Sequence, residues 1–419
     1  MDRFELEPFP RREGELHAEH VALAEIAARF GTPCFVYSRA RLTRAFEGFD
    51  RPFGGRPHLI CYAAKANSNL AILNLLARLG SGFDIVSGGE LERVIAAGGD
   101  PGKVLFSGVG KRAEEIELAL ARGILCFNVE SQSELHRISR IAAQSRKTAR
   151  ISLRVNPDVD PKTHPYISTG LKETKFGVNV EDALRLYRDA RKLPGIEIIG
   201  VDCHIGSQIT EAAPFLDALD KLLGLVLQLE SEGIRLQHLD LGGGLGIRYL
   251  DEVPPEPDAY VAALLQRLAG RRETIVLEPG RALVGNAGLL LTRIEYLKHG
   301  ADRNFAVVDA AMNDLVRPAL YDAFHEIVPV HTRPDPTRRY QVVGPVCESA
   351  DFLGRDRELA VCEGDLLAVM SAGAYGMSMS SNYNTRPRAA EVMVDGSNVY
   401  EIRSRETAAQ LFALERLLP

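Results

Sequence analysis

The chain has 419 residues, more than a single hydrophobic core usually supports, so we expect two domains. Its composition is that of a globular protein, with 46% hydrophobic residues, 25% charged residues and interspersed charges that sum to −6. These features argue against nucleic acid or a membrane as partner and favour a small molecule, and the absence of a signal-like or spanning apolar run predicts a cytoplasmic protein.

In chain order, the first predicted element is a strand at GTPCFVYS (31–38). From residue 58 onward, short apolar runs alternate eight times with segments of helical spacing, such as the one that contains Ile72, Leu73 and Leu76. The apolar runs predict parallel strands buried on both faces, at 58–65, 82–87, 104–109, 126–131, 150–156, 196–206, 238–244 and 274–280. Eight such repeats over about 220 residues predict a TIM (β/α)8 barrel.

The main alternative to the barrel is a doubly wound sheet. Polar residues cluster at the C-terminal ends of many predicted strands, among them Lys65, Asp84, His204 and Glu278, whereas an open sheet concentrates its site at one switch point. The glycine run at 242–246 also lacks the G-x-G-x-x-G spacing of a dinucleotide-binding turn. Both observations favour the barrel.

After Arg281 the pattern changes to strands without long helices between them, at VVDAAM, RRYQVVGPV, DLLAVMS and AAEVMVDGSNVYEIR. The predicted fold is therefore α/β, a TIM barrel followed by a mainly β C-terminal domain built as a β-sandwich or barrel. We predict that the barrel spans 36–282, and that 1–35 and 283–419 together form the β domain.

Two charged residues at predicted strand ends are candidate functional residues. Lys65 in YAAKAN would place an amine in the barrel mouth, where reduced solvation suits imine chemistry, although a surface lysine is the alternative. Glu278 follows the apolar residues Val276 and Leu277, and its burial would require a cation or a protonated nitrogen as partner.

The loops after the seventh and eighth predicted strands carry glycines. Barrels commonly bind phosphate at these loops, and the bare backbone of Gly243 and Gly280 could approach one, although tight turns alone would also explain the glycines. His204 could lie flat against a planar ligand, whereas a lone core histidine is often structural. Amine, phosphate cradle, carboxylate and imidazole together match the parts of pyridoxal phosphate.

The second domain contributes two further pairs. Arg317 and Tyr321 could converge on a carboxylate, and Cys347 places a thiol beside the carboxylate of Glu348, although each pair is also common in packing or at surfaces. The six cysteines are dispersed without a C-x-x-C pair, so we predict no disulfide framework and no metal site.

These motifs resemble those of the diaminopimelate decarboxylase family, in the fold-type III group of pyridoxal-phosphate enzymes that also contains ornithine and arginine decarboxylases and alanine racemase. The similarity runs from FGTPCFVYS (30–38) to SNYNTRPRAAEV (381–392). Its most specific stretches are YAAKAN, HPYISTGLKETKFG, HIGSQI, GGGLGI, EPGR, DAAMNDLVRPALYDAFHEI, GPVCESADFLG and GAYGMSMSSNYNTRPR. The resemblance implies a head-to-tail homodimer with shared active sites that decarboxylates meso-diaminopimelate to L-lysine and carbon dioxide, the last step of lysine biosynthesis.

The resemblance also implies roles for individual residues. The predicted catalytic residues are Lys65, which would carry the cofactor, and His204, Glu278 and Cys347. Asp84 and His204 would bracket the cofactor ring, and Glu278 would pair with its nitrogen. The phosphate would be held by Ser207, Gly243, Gly280, Arg281 and Tyr375. The substrate would be held by Arg281, Arg317, Tyr321, Glu348 and Tyr375, and Cys347 of the partner subunit would protonate the carbanion.

The same residues bear on alternative functions. The nearest alternative is a related decarboxylase that acts on another carboxylated or basic amino acid, but a diamine-specific relative would have Asp in place of Glu348. A barrel that only binds pyridoxal phosphate would lack the β domain, and a non-catalytic relative should have lost Lys65 or Cys347. A racemase is disfavoured, because it would use a tyrosine of the second domain as its opposite-face base, whereas this chain offers the pair Cys347 and Glu348.

Overall fold

A computed structural model of the protein describes residues 9–160 and 175–419, which form two compact units. The β-rich unit takes residues up to 44, 248–252 and 283 onward, and the barrel unit takes 45–247 and 253–282. The sequence-based boundaries, 36–282 for the barrel and 1–35 with 283–419 for the β domain, stay predictions. Most of the motif HPYISTGLKETKFG (164–177) lies outside the described residues.

The first described elements belong to the β-rich unit. Strands β1 (Arg11–Arg12), β2 (Glu15–Ala18) and β3 (Val21–Ala22) form a small antiparallel sheet. They are followed by α1 (Leu23–Phe30), β4 (Cys34–Ser38) and α2 (Arg39–Asp50). All five residues of β4 are buried, which confirms the predicted strand at GTPCFVYS.

The barrel unit is built on eight parallel strands. These are β5 (His58–Ala63), β6 (Gly82–Ile85), β7 (Val104–Phe106), β8 (Cys126–Val129), β9 (Ala149–Asn156), β11 (Ile196–Asp202), β12 (His238–Asp240) and β13 (Thr274–Leu277). Each strand pairs with the next, and β13 pairs with β5 to close the barrel, while the short β10 (Val178–Asn179) pairs in parallel with the end of β9. The predicted TIM barrel and its eight strands are confirmed, and the doubly wound alternative is wrong.

Helices connect successive barrel strands, and a last short helix follows β13. They are α3 (Leu70–Arg78), α4 (Gly88–Ala96), α5 (Ala113–Arg122), α6 (Gln132–Gln144), α7 (Val180–Ala190), α8 (Ala213–Ser231), α9 (Pro257–Arg267) and the short α10 (Arg281–Val284). Ser87 and Ser131 cap α4 and α6, because each side chain accepts a hydrogen bond from a backbone N–H of the first helical turn. Tyr187 shows how a helix is anchored: it lies on the buried face of α7 and donates a hydrogen bond to the carbonyl of Gly200 in β11.

The remaining elements complete the β-rich unit. They are β14 (Gly288–His299), β15 (Asn304–Val308), α11 (Arg317–Tyr321), β16 (Ile327–Pro329), β17 (Arg338–Val343), β18 (Phe352–Leu359), β19 (Leu366–Val369), β20 (Ala390–Asp395), β21 (Asn398–Arg403) and α12 (Ala408–Leu411). Strand β14 is central, because it pairs with β4, β15 and β19. Leu23, Ile26 and Val36 pack into one core with Leu289 and Val392, so apolar burial joins the two ends of the chain in this unit. In the described part of the chain, no helix has both the length and the apolar character needed to cross a membrane.

Candidate active site

Lys65 lies just beyond the first barrel strand, in a 3-10 turn over Ala64–Ala66. Its Nζ is 2.9 Å from Oδ2 of Asp84, whose side chain is fully buried, while the lysine side chain is 36% exposed. The sequence predicted a desolvated amine at this position. In the structure the amine is instead half-buried and paired with a buried carboxylate. Oδ1 of Asp84 is buried and has no hydrogen-bond partner among the described residues, so it can still receive a donor from a ligand.

Glu278 follows β13 and belongs to a cluster of three buried carboxyl groups. One oxygen each from Glu278, Asp202 and Asp240 lies within 4.8 Å of the others. Burial, followed by the charges of Asp240 and Asp84, raises the pKa of Glu278 well above its ordinary value. Burial is also the first cause that raises the pKa of Asp202, and it raises the pKa of Asp240 to about 6. The cluster consequently retains protons at neutral pH instead of holding three negative charges.

Asn128, at the end of β8, links two members of this cluster. Its Nδ2 lies 3.5 Å from Oδ2 of Asp240 and 3.4 Å from Oε1 of Glu278. Ser152 donates a hydrogen bond to Oδ1 of Asn128 at 2.5 Å, which determines the side of the amide that carries the nitrogen. The N–H of Gly242 donates to Oδ1 of Asp240 at 3.0 Å. These contacts hold the carboxyl groups in place, and by itself such an acidic cluster does not define a metal site.

Arg154 and His204 lie at the ends of β9 and β11. Arg154 Nη1 is 3.2 Å from Oε1 of Glu130, and its Nε is 4.0 Å from Oδ2 of Asp202. Nδ1 of the half-buried His204 accepts a hydrogen bond from the N–H of Gly243 at 3.1 Å. Burial, followed by the positive charge of Arg154, lowers the pKa of His204 well below its ordinary value. His204 is therefore a neutral imidazole at physiological pH.

The glycine-rich loop after β12 packs against its neighbours through bare backbone. The N–H of Ile209 donates to the carbonyl of Gly244 at 2.9 Å, and Gly244 has a left-handed φ of 108°. A Cβ at Gly243 would lie 2.1 Å from the carbonyl oxygen of Glu278. The close approach of the backbone therefore requires these glycines, in agreement with the alternative that they serve a tight turn. Their contact with phosphate stays a prediction.

Two residues of the predicted phosphate site are in contact. Nη2 of Arg281 donates a hydrogen bond to Oγ of Ser207 at 3.1 Å. Arg281 is buried and follows directly after Gly280, which is also buried. The loops after β11 and β13 thus bring together a guanidinium and a hydroxyl group, two groups that commonly bind phosphate oxygens.

In the β-rich unit, Arg317 and Tyr321 lie on the same short helix, α11, but differ in burial. Tyr321 is half-buried, whereas the buried Arg317 contacts Tyr249 and His325. Neither partner is indicated by the spacing of Arg317 and Tyr321. Tyr249 belongs to the segment 248–252, whose position in the β-rich unit no local pattern indicates.

Cys347 and Glu348 lie in an exposed turn that the loop after β19 supports. Tyr383 donates a hydrogen bond to Oε1 of Glu348 at 2.6 Å, and Oδ1 of Asn384 accepts one from the N–H of Cys347 at 3.1 Å. The hydrogen bond to Glu348 is the first cause that raises the pKa of Tyr383. Tyr375, from the same loop, is half-buried with a left-handed φ of 56°. Tyr383 and Asn384 are further residues that the sequence analysis did not single out.

Most of the missed barrel residues share one sequence signal. Asn128, Asp202 and Asp240 are polar residues at or near the ends of the observed strands β8, β11 and β12, as Asp84 and Glu278 are at β6 and β13. A charged residue in a strand that is buried on both faces is costly unless it is paired, so this position alone indicates function. Arg154, near the end of β9, and Glu130, just beyond β8, are likewise charged residues at strand ends.

Comparisons with known proteins cover both units. The sequence profile of the family described as pyridoxal-dependent decarboxylase, pyridoxal binding domain, matches residues 39–285. The chain is 60% identical over 414 residues to the diaminopimelate decarboxylase of Pseudomonas aeruginosa, covering 99% of this chain and 100% of the relative.

Solved structures agree with this similarity. Diaminopimelate decarboxylase from Helicobacter pylori, solved in complex with L-lysine, superposes with a TM-score of 0.91 at 44% identity and covers 94% of this chain and 99% of its own. The M. jannaschii enzyme, also in complex with L-lysine, has a TM-score of 0.93 at 39% identity and 98% coverage of both chains. A lysine decarboxylase from Selenomonas ruminantium shares the fold with a TM-score of 0.80 at 25% identity, covering 88% of this chain and 94% of its own.

Proposed function

The chain belongs to the pyridoxal-dependent decarboxylase family, and we propose that it converts meso-diaminopimelate to L-lysine and carbon dioxide, the last step of lysine biosynthesis. It is a carboxy-lyase with pyridoxal 5′-phosphate as cofactor. One observation carries this conclusion: the similarity to diaminopimelate decarboxylases extends over 99% of the chain. It therefore includes the β-rich unit, with Arg317 and Glu348, as well as the cofactor-binding barrel.

The barrel residues fit this cofactor. The phosphate would be bound at the loops that carry Ser207, Gly243, Gly280 and Arg281, together with Tyr375. Glu278 is a buried carboxyl group among other carboxyl groups, and a cationic ring nitrogen is the partner that would stabilise its ionised form. The buried Oδ1 of Asp84 can likewise accept a donor from a ligand beside Lys65.

When bound, pyridoxal phosphate supplies a conjugated ring that withdraws electrons from the substrate's α-carbon as the carboxylate leaves. Lys65 supplies the amine that holds the cofactor, and Asp84 orients that amine through the 2.9 Å ion pair. Glu278 would supply a negative charge to the cofactor's ring nitrogen, and Asn128 and Asp240 position its carboxyl group. His204 is kept neutral by burial and by the charge of Arg154, and its Nδ1 accepts a hydrogen bond from Gly243, so it would contact the ring without adding charge.

Substrate choice follows from charge. Arg281, Arg317 and Tyr321 provide two guanidinium groups and a phenol for carboxylates, and Glu348 provides a carboxylate for the distal ammonium. Tyr383 holds the side chain of Glu348 through a 2.6 Å hydrogen bond. This set suits a substrate with a carboxylate and an amine at its distal end better than a simple diamine.

The catalytic unit is a head-to-tail homodimer in this proposal. Lys65 of one subunit works with Cys347 of the partner subunit, whose thiol returns a proton to the former α-carbon. The turn that carries Cys347 is exposed, which is consistent with a role outside its own subunit's core. The free thiols of all six cysteines also support the proposed cytoplasmic location, since that compartment keeps thiols reduced.

Carbon dioxide release from meso-diaminopimelate, L-ornithine, L-arginine and L-lysine, measured side by side, tests the reaction and the substrate. Release from meso-diaminopimelate should exceed release from each of the other three by at least about a hundredfold, because only this substrate satisfies both the carboxylate and the ammonium contacts. Faster release from L-lysine or L-ornithine would assign the chain to another decarboxylase.

Chemical trapping tests the role of Lys65. Borohydride reduction of the cofactor-loaded enzyme, followed by peptide mass spectrometry, should place the cofactor on Lys65. The Lys65→Ala enzyme should retain weakened cofactor binding through phosphate contacts and lose turnover by several orders of magnitude. A label on a different lysine contradicts the assignment.

Subunit mixing tests the shared sites. When Lys65→Ala and Cys347→Ala chains exchange at random, about half the dimers are mixed, and each mixed dimer has one intact site of two. Recovery should therefore approach about a quarter of wild-type activity, whereas each variant alone should stay inactive. If mass measurement shows exchange but no activity returns, Cys347 acts within its own subunit or the sites are not shared.

A further inference from the structure

A completely buried histidine, His325, lies between α11 and β16 with both ring nitrogens in hydrogen bonds. Its Nδ1 is 2.8 Å from the backbone carbonyl oxygen of Met370. Its Nε2 is 3.1 Å from Nη1 of Arg317. The histidine therefore connects the arginine to the backbone that follows strand β19.

The two partners assign the tautomer of His325. A carbonyl oxygen can only accept, so Nδ1 must carry the proton that is donated to Met370. A guanidinium can only donate, so Nε2 must present its lone pair to Arg317. His325 is consequently the neutral Nδ1–H form, and its Nε2 acts as a fixed acceptor for one N–H bond of the arginine.

Tyr249 holds the same guanidinium nitrogen from another direction. Nη1 of Arg317 donates to the tyrosine hydroxyl at 2.8 Å, and the guanidinium carbon lies 4.8 Å from the centre of the tyrosine ring. The rings of Tyr249 and His325 meet edge to face, with centroids 5.2 Å apart. Oε2 of Glu252 accepts hydrogen bonds from the N–H groups of Tyr249 and Leu250, which fixes this segment.

These contacts determine the orientation of the arginine. The two N–H bonds of Nη1 are directed at Tyr249 and His325, so the plane of the guanidinium and the direction of its other nitrogens are set by the protein. An arginine side chain loses considerable rotamer freedom when it binds a ligand, and prior orientation removes part of that cost. The effect is largest where a planar guanidinium must match a planar carboxylate.

We propose that His325, together with Tyr249, positions Arg317 for the distal carboxylate of the substrate and so determines the preference for a carboxylated ligand over a plain diamine. His325 acts through Arg317 as a positioning residue. The inference rests on the proposed role of Arg317 in carboxylate binding.

Two substitutions at His325 separate its two hydrogen bonds. In His325→Asn the amide nitrogen lies near the position of Nδ1, so the donor to Met370 is retained and the acceptor for Arg317 is lost. In His325→Gln the amide oxygen reaches the position of Nε2, so the acceptor for Arg317 is retained. Both variants replace a buried ring by a smaller amide, and their melting temperatures should fall by similar amounts.

The ligand pair isolates the distal carboxylate. L-lysine carries the carboxylate that meso-diaminopimelate has at its distal end, and 1,5-diaminopentane is the same chain without it. Dissociation constants of both are measured on the cofactor-loaded enzyme by calorimetry, and their ratio gives the carboxylate preference. The Arg317→Ala enzyme, measured in the same way, shows how much of the preference this arginine carries.

We expect His325→Asn to weaken L-lysine binding roughly tenfold and to leave the binding of 1,5-diaminopentane unchanged, because one charge-assisted contact of the arginine is lost. His325→Gln should keep a preference close to that of wild type. A purely structural role would instead affect both variants and both ligands alike. The KM for meso-diaminopimelate should follow the L-lysine result, with a smaller change in kcat.

Two outcomes separate failure of this inference from failure of its premise. If Arg317→Ala abolishes the preference and His325→Asn retains it, His325 does not position the arginine. If Arg317→Ala also retains the preference, the carboxylate role of Arg317 is wrong and the inference is wrong with it. If His325→Asn does not fold, Tyr249→Phe provides the test, since it removes only the hydroxyl acceptor, and an unchanged preference there refutes the proposal.

Discussion

Replacing Glu278 by Gln should separate the role of its charge from its role in the fold. In the cofactor-free protein, burial and the neighbouring carboxyl groups keep Glu278 protonated. A glutamine reproduces that form, because its Oε1 can accept from Asn128 and its Nε2 can donate to Asp240. We therefore expect the free energy of unfolding of the cofactor-free variant to stay within about 0.5 kcal/mol of wild type at pH 7.

With cofactor bound, the same substitution should be costly. In the proposed site the wild-type carboxyl group would ionise beside the ring nitrogen, whereas the amide stays neutral and would not stabilise a protonated ring. A hydrogen bond to a charged group contributes about 1.5–3 kcal/mol, equivalent to roughly 10- to 150-fold in an equilibrium constant. Glu278 is only 5% exposed, so solvent will not replace the lost interaction. We expect turnover at saturating cofactor to fall about a hundredfold.

The assay compares three quantities for each protein: unfolding in urea without cofactor, the dissociation constant of pyridoxal phosphate, and carbon dioxide release at saturating cofactor. Glu273→Gln is the matched control, because Glu273 precedes the same strand at its other end and pairs with Arg271. This control should keep wild-type cofactor affinity and turnover. Wild-type turnover in Glu278→Gln would refute the charge argument, and a loss of several kcal/mol in the cofactor-free protein would show that Glu278 is ionised there.

Three further predictions concern other parts of the molecule. Gly243→Ala should weaken cofactor binding measured by titration, because its Cβ would lie 2.1 Å from a backbone carbonyl oxygen. Gly224→Ala, whose Cβ would lie in open space on α8, should leave cofactor binding unchanged. His238→Leu should remove the part of the acid sensitivity that His238 causes: the pKa of His238 is lowered from 6.5 to about 4 by burial, so the unfolded chain takes up a proton first as the pH falls. Urea unfolding should then show that wild type loses about 1.8 kcal/mol more than the variant between pH 7 and pH 5, and equal losses would contradict this. Tyr383→Phe should raise the KM for substrate roughly two- to tenfold with little change in kcat, because Glu348 loses its hydrogen bond; an unchanged KM would remove Tyr383 from substrate positioning.

Periodicity was sufficient to predict the barrel. Eight apolar runs separated by helical patterns have few stable arrangements, and a strand that is buried on both faces shows its burial directly in its composition. The positions of Lys65, Asp84 and Glu278 at strand ends could be predicted for the same reason, since a charged residue at the end of such a strand is costly unless it is paired. Local sequence patterns were thus sufficient to predict the fold and the types of chemical group at the C-terminal ends of the barrel strands.

The contacts that orient these residues depend on long-range packing. Asn128 meets Glu278 across 150 positions of sequence, and Arg317 meets Tyr249 across 68. No spacing rule connects such residues, because they become neighbours only when the barrel closes and when segment 248–252 joins the β-rich unit. The sequence by itself determined which chemical groups are present and which strands carry them. The tertiary structure alone decided the partners of each group, since hydrogen bonding and desolvation act over a few ångströms of space and not over intervals of sequence.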